Sequence, residues 1–88
     1  MKRSLLFRPL KEGENNPILP IIEVLGDSRV LVERHKGVLG YSRQRVCVKL
    51  SFGMLVVGGC SLEIVHMSKT QIVISGRILE LQIKRGGL

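Results

Sequence analysis

Aromatic residues are scarce in this sequence, and tryptophan is absent. Phe7, Tyr41 and Phe52 are the only aromatic side chains among 88 residues. Proteins that bind single-stranded nucleic acid stack bases on aromatic rings, and a sugar cleft would also call for them, so the scarcity argues against both kinds of site. Hydrophobic residues still make up 44% of the chain. The core must therefore consist of valine, isoleucine and leucine, of which the β-branched residues favour strands.

Proline is absent after residue 20. All three prolines fall in the first twenty residues, together with four cations: Lys2, Arg3, Arg8 and Lys11. Prolines without an apolar period favour an extended segment, whereas a proline-free stretch punctuated by glycines suits a hydrogen-bonded sheet. The sequence thus predicts an extended basic tail over residues 1–20 and a single β domain over residues 21–88.

Long hydrophobic runs are missing too. The longest apolar stretch, Gly53 to Cys60, is far shorter than the ~20 residues that a membrane-spanning helix needs. The apolar run near the amino terminus is too short for a secretion signal. Two cysteines, Cys47 and Cys60, form neither a disulfide framework nor a C-x-x-C motif. These features predict a cytoplasmic protein that does not cross a membrane by itself.

The hydrophobic residues after residue 20 repeat with a period of two, which is typical of strands. The alternating residues are Val30 and Val32; Val46, Val48 and Leu50; Leu62 and Ile64; Ile72 and Ile74; and Leu79, Leu81 and Ile83. Each run has the length of an ordinary strand, and turn-forming residues separate the runs. The pattern predicts an all-β fold of about eight short strands.

Glycines mark the predicted turns, and we expect structural roles for Gly37, Gly53, Gly59 and Gly76. Gly58-Gly59 and Ser75-Gly76 have the composition of two-residue hairpin loops, which favours a small antiparallel meander curled into a roll or sandwich. A weak internal repeat relates the segments that begin at Gly37 and Gly53. A short β-solenoid therefore remains the alternative architecture.

No catalytic constellation is evident. The sequence has no glycine-rich phosphate loop and no nucleophile elbow. His35 is predicted to be a solvated turn residue and His66 a partly buried residue at a strand end, while the spacing of these histidines with Cys47 and Cys60 matches no zinc site. The cysteines are expected to fill space as small hydrophobic side chains. We predict that the protein is not an enzyme and has no cofactor or metal.

Positive charge dominates, with a formal net charge of +7. A basic cluster without acids predicts the partner-binding residues Arg34, Lys36, Arg43, Arg45 and Lys49. A solvated basic face is the simpler interpretation, and single-stranded nucleic acid is an alternative partner with only Tyr41 inside the cluster to stack on. Glu63 and Glu80 are expected to face outward and to resist pairing between sheet edges.

Two segments resemble the YabP/YqfC sporulation protein family. In residues 29–42 a strand ends in an acid, followed by a basic residue, a glycine, two aliphatic residues and an aromatic-Ser pair: Glu33, Lys36, Gly37, Val38, Leu39, Tyr41 and Ser42. Residues 53–59, 62–64 and 71–77 are similar to the later strand and glycine spacing of the family. The resemblance covers residues 21–83 and is closer to the YqfC branch.

The resemblance implies a non-enzymatic protein of endospore formation that acts in the mother-cell cytoplasm. It also implies a protein partner, a YqfD-like membrane protein, at the forespore-facing membrane. Our hypothesis is a scaffold or adaptor that offers a free sheet edge and a basic face, with peripheral contact to anionic membrane. A self-assembling structural protein, and hence a homo-oligomer, is a further alternative.

Overall fold

The computed structural model describes residues 19–86. Strands joined by turns and short connections are their only regular secondary structure. The six strands are β1 Ile21–Leu25, β2 Arg29–Glu33, β3 Val38–Tyr41, β4 Arg45–Leu50, β5 Gly53–Met67 and β6 Gln71–Arg85. The predicted basic tail lies outside the described residues, apart from Leu19 and Pro20 at its end. No helix occurs within residues 19–86, which confirms the all-β class.

The strands form one sheet in the order β1-β2-β6-β5-β4-β3. Every neighbouring pair is antiparallel. Strands β3 to β6 follow one another as a meander, and the β1–β2 hairpin adds to the free side of β6. Stacked coils of a solenoid would pair in parallel, so the antiparallel alternative is the one that this chain adopts.

The number of strands differs from the expectation of about eight because two predicted turns lie inside strands. β5 and β6 each run for 15 residues. Gly58-Gly59 falls within β5 and Ser75-Gly76 falls within β6. The β5–β6 ladder continues on both sides of these glycines and shifts register between Gly58 and Gly59 and between Cys60 and Glu63. The glycines therefore bend one long hairpin instead of ending its strands.

The bend brings the two strands unusually close together. A Cβ on Gly76 would lie 2.6 Å from the Ser61 carbonyl oxygen, and the φ of Gly76 is 137°, a conformation that side chains rarely adopt. Ser61 itself has a φ of 52°. Glycine at position 76 is thus required both by space and by backbone conformation.

The bend divides the sheet into two halves that share β5 and β6. The β3–β4 half contains β3, β4, residues 53–58 of β5 and residues 80–85 of β6. The β1–β2 half contains β1, β2, residues 63–67 of β5 and residues 71–75 of β6. Buried residues of both halves belong to one hydrophobic cluster, so the halves pack face to face as a curled sheet.

The core matches the period-two pattern in most strands. Its completely buried side chains include Val30 and Val32 from β2, Val46 and Val48 from β4, and Ile72 and Ile74 from β6. Strand β6 departs from the pattern after its bend, since Ile78 is buried while Leu79 and Ile83 are 66% and 53% exposed. The bend changes the phase of the strand, and its last residues lie at the edge of the β3–β4 half.

His35 is buried, in contrast to the predicted solvated turn residue. It is 8% exposed and lies in the connection from β2 to β3. The Gly37 backbone N–H donates to His35 Nδ1 at 2.9 Å, so Nε2 carries the ring proton and donates to the Ser68 carbonyl oxygen at 2.9 Å. The ring therefore ties the β2–β3 connection to the β5–β6 turn.

Replacing His35 by alanine is expected to lower the free energy of unfolding by roughly 1–3 kcal/mol, because the Gly37 N–H and the Ser68 carbonyl lose their partner in a buried place. His66→Ala is the matched control, since His66 is exposed on β5 and should change stability by less than about 0.5 kcal/mol. Urea titration of both variants measures the difference. Equal midpoints would contradict the role of His35 as a tie between the segments.

Candidate partner-binding face

The outer face of the β3–β4 half is basic because β4 alternates between core and solvent. Val46 and Val48 point into the core, which places Arg45 and Lys49 on the opposite face, and both are exposed. Val56 of β5 shares this outer face and is only 5% exposed. Long charged side chains beside such a residue can cover it with their stems while their charged ends remain in water.

Strand register adds a cation that the sequence analysis did not single out. Lys49 of β4 lies opposite Met54 of β5, and Met54 lies opposite Lys84 of β6. Directly opposed residues point to the same face, so the two lysines flank one methionine. The alternation of β6 could have indicated Lys84, but only the pairing of three strands places it beside Lys49.

A groove of about 720 Å³ opens at this end of the outer face, beside the β4–β5 turn. We call it the basic groove. It is lined by Leu39, Lys49, Leu50, Ser51, Phe52, Gly53, Met54, Lys84, Arg85 and Gly86. Three of these residues are cations and none is acidic, while leucine, phenylalanine and methionine supply apolar surface. The groove thus combines positive charge with exposed hydrophobic side chains.

Phe52 and Arg85 form one wall of the basic groove. The Arg85 guanidinium carbon lies 4.6 Å from the centre of the Phe52 ring, a cation–π contact that orders both side chains. The Gly86 N–H donates to the Phe52 carbonyl oxygen at 2.8 Å, which fixes the backbone beneath them. Gly53 follows Phe52 at a point where a Cβ would overlap the Lys84 carbonyl oxygen. Glycine is therefore needed for β5 and β6 to approach each other here.

The five predicted partner-binding residues are all exposed but do not form one cluster: Arg34, Lys36, Arg43, Arg45 and Lys49. The Lys36 N–H donates to the Lys49 carbonyl oxygen at 2.8 Å, so these two residues lie beside the basic groove. Arg43 and Arg45 lie at the other end of β4. Arg34 leaves the face, and its guanidinium donates to the Leu19 carbonyl oxygen at 3.4 Å.

Charge is strongly segregated between the two halves of the sheet. The β3–β4 half with its connections, residues 36–58 and 80–86, carries six cations, all exposed, and a single carboxylate, Glu80. The remaining described residues carry four cations, Arg29, Arg34, Lys69 and Arg77, and four carboxylates: Glu23, Asp27, Glu33 and Glu63. The first set has a net charge of +5 and the second of 0. The β3–β4 half is thus the part of the described chain that attracts anions.

The geometry of the described residues suits an anionic surface. Within residues 19–86, no three His, Cys, Asp or Glu side chains gather in a way that could hold a metal ion. Cys47 is half-buried, whereas Cys60 is exposed and does not fill space as predicted. His66 is exposed instead of partly buried. In the part of the chain that the structure describes, no helix is long and apolar enough to span a membrane.

Comparison with known proteins identifies the family. The model of the YabP family matches residues 20–87, which is most of the chain and the whole of the sheet. A search of curated proteins found no match, and a search of solved structures found none. The matched range includes both segments whose glycine spacing resembles the family. The chain therefore belongs to the YabP family.

Proposed function

We propose that the protein is a non-enzymatic sporulation protein that works as an adaptor in the mother-cell cytoplasm. Its basic half binds the anionic membrane that faces the forespore, where a YqfD-like membrane protein is its partner. We also propose that it belongs to the YqfC branch of the family, on the spacing of residues 29–42 and 53–77. Family membership and the one-sided basic surface support a binding role.

The observation that carries the proposal is the charge segregation. Six exposed cations with a single carboxylate occupy one half of a small sheet. Each Lys or Arg close to an anionic membrane contributes about 1 kcal/mol to binding, and the attraction fades within a Debye length of ~8–10 Å. One-sided charge therefore binds more strongly than the same charge spread around the molecule.

The basic groove suits the boundary between lipid headgroups and acyl chains. Lys49, Lys84 and Arg85 would contact phosphates, while Leu39 and Met54 would contact the apolar layer beneath them. Leu39 is 58% exposed, although its neighbours in β3 and β4 pack on the core. An exposed leucine among lysines is what an interfacial site requires.

Nucleic acid is a weaker match to the same charges. Phe52 has one ring face covered by Arg85, and the Tyr41 hydroxyl donates to the Leu62 carbonyl oxygen at 3.4 Å. Tyr41 is still 53% exposed, so these two rings are the stacking surface that the described residues offer. Base stacking contributes ~1–3 kcal/mol per base in single-strand binders, and two rings supply little of it.

Flotation with lipid vesicles tests the proposal in vitro. The full chain is expected to float with vesicles of phosphatidylcholine and phosphatidylglycerol at low salt and to remain behind with pure phosphatidylcholine, because the attraction is electrostatic. Raising the salt concentration should release it. Binding to single-stranded oligonucleotides without binding to anionic vesicles would refute the proposal and favour the nucleic-acid alternative.

The same proposal makes a cellular prediction. In sporulating cells, a fluorescent fusion of the full chain should gather at the forespore-facing membrane, and crosslinking should join it to the YqfD-like protein. A fusion that stays evenly distributed through the mother cell would contradict the membrane role. An uncoupled fluorescent protein expressed at the same stage is the control.

A further inference from the structure

The last part of β6 is an unpaired sheet edge within the described residues. Residues 71–75 of β6 lie between β2 and β5, but Leu79–Arg85 has β5 on one side only. This edge has no proline, and its register with β5 is regular from Glu80 to Arg85. Natural sheets protect such edges with bulges, prolines, inward charges or charged side chains such as lysine. This edge has charged residues but none of the other devices, so it is a template for a strand whose charges complement its own.

The hydrogen bonds of β5 and β6 indicate which backbone groups face the open side. The Gly86 N–H donates to Phe52, so Gly86 points toward β5. Successive residues of an antiparallel strand alternate in direction, and counting back along the regular ladder points Leu81, Ile83 and Arg85 outward. The N–H and C=O groups of Leu81 and Ile83 are therefore available to a further strand.

The sequence of this edge is complementary to itself. Residues 80–84 read acid, aliphatic, amide, aliphatic, base. In an antiparallel pair of two copies centred on Gln82, Glu80 of each chain faces Lys84 of the other, and Leu81 faces Ile83. Directly opposed residues share a face, so the ion pairs lie outside and the aliphatic pairs extend the inner face.

Other registers are less favourable. Residues whose backbone groups point outward must oppose each other across the pair. The two-fold axis of a symmetric pair therefore passes through a residue and not between two residues. Centring on Glu80 would oppose two carboxylates, and centring on Lys84 would oppose two ammonium groups. Centring on Ile83 would face Glu80 with Gly86 and Lys84 with Gln82, and centring on Leu81 would face Glu80 with Gln82, so neither register forms an ion pair. The Gln82 centre forms two, although it leaves Leu79 opposite Arg85 at each end. Like charges directly opposite destabilise a sheet, whereas opposite charges stabilise it, so Gln82 is the favoured centre.

Burial of exposed aliphatic side chains would favour pairing of this strand. Leu79 and Ile83 are 66% and 53% exposed, although both belong to the hydrophobic alternation of β6. A second strand would cover Ile83 with Leu81 of the other copy. Glu80, which the sequence suggested would resist edge pairing, instead meets a lysine in this register.

We propose that the protein forms a two-fold symmetric dimer in which the Leu79–Arg85 edges of β6 pair antiparallel about Gln82. The pairing joins the two β3–β4 halves into one continuous sheet. The occupant is a second copy of this chain because the acid, aliphatic and basic residues match only when the strand meets its own reverse. The inference rests on other observations than the proposed membrane role, although Lys84 takes part in both.

Charge exchange tests the register with the full chain in sedimentation equilibrium over a range of concentrations. Wild type is expected to rise toward twice the mass of one chain. Glu80→Lys and Lys84→Glu each create two like-charge contacts and should weaken dimerisation at least tenfold. The double variant E80K/K84E restores both ion pairs and should dimerise like wild type. Glu63→Lys, the same charge change on the β1–β2 half, is the control and should leave dimerisation unchanged.

An equimolar mixture of the two single variants gives the sharpest result. In the heterodimer the Glu80→Lys position of one chain faces the Lys84→Glu position of the other, and the native Lys84 and Glu80 form the second ion pair. Heterodimers should therefore form although neither variant pairs with itself. Both changed residues are exposed, and circular dichroism checks that each variant keeps its fold. A wild-type chain that remains monomeric, single variants that dimerise like wild type, or a mixture that stays monomeric would each overturn the proposal. Failure of vesicle binding would not affect these readouts.

Discussion

Gly59→Ala is expected to lower the free energy of unfolding by about 3 kcal/mol, a large part of the stability of a domain this size. The midpoint of thermal unfolding should fall by roughly 12–24 °C, at ~4–8 °C for each kcal/mol. A Cβ at position 59 would overlap the Arg77 carbonyl oxygen and lie 3.2 Å from Leu62 Cδ2. The nearest atoms belong to the backbone of the facing strand, so relief requires the bend itself to move.

Gly40→Ala is the matched control. Gly40 also lies within a strand, but a Cβ there would meet nothing within 4 Å. Its stability should remain within about 0.5 kcal/mol of wild type. Calorimetry of the two variants compares the same chemical change at a crowded and an open position. A Gly59→Ala chain as stable as Gly40→Ala would show that β5 and β6 are not in close contact at the bend.

Neutralising two cations of the outer face is expected to weaken binding to anionic vesicles about 30-fold. The double variant Arg45→Gln/Lys49→Gln removes two charges that each contribute about 1 kcal/mol near the membrane, and 1.4 kcal/mol corresponds to a tenfold change. Both side chains are exposed, so the fold should tolerate the change. The variant leaves Glu80 and Lys84 intact and therefore does not disturb the proposed β6 pairing.

The matched control for the vesicle experiment removes the same net charge from the other half of the sheet. Arg29→Gln/Lys69→Gln should reduce binding far less, because these residues lie among the carboxylates of the β1–β2 half. The difference between the two variants should shrink at high salt as screening increases. Equal losses would mean that net charge, not its placement, governs binding. That outcome would contradict an oriented basic face.

The sequence pattern correctly predicted the strands in which every second residue points into the core. Val30, Val32, Val46 and Val48 are buried as their alternation indicates. The two long strands were not predicted, because Gly58-Gly59 has the composition of a hairpin loop. A glycine pair shows where the backbone can bend, but only the continuing ladder with β6 shows that the strand does not end there.

The candidate site was predicted only in part, for a related reason. Lys49 and Arg45 follow directly from the alternation of β4, whereas Lys84 joins them through a register that spans three strands. The burial of His35 depends on Ser68, a residue 33 positions later in the chain. Contacts of this range leave no periodic signal in the sequence near either residue. The local pattern identified the charged residues. It did not show that strand pairing places Lys84 beside Lys49 and that Arg34 lies away from them.

The β5–β6 hairpin, which both halves share, determines how the domain unfolds. β5 and β6 each contribute one segment to either half, so neither half has a complete set of strands without the other. If one half unfolded, its segments of β5 and β6 would lose their hydrogen-bonding partners. The segments of the same two strands in the other half would then begin to unfold as well. The described domain should therefore open as one cooperative unit, with its slowest-exchanging amides along the bent pair. A ligand that binds to either half should therefore slow amide exchange in both halves.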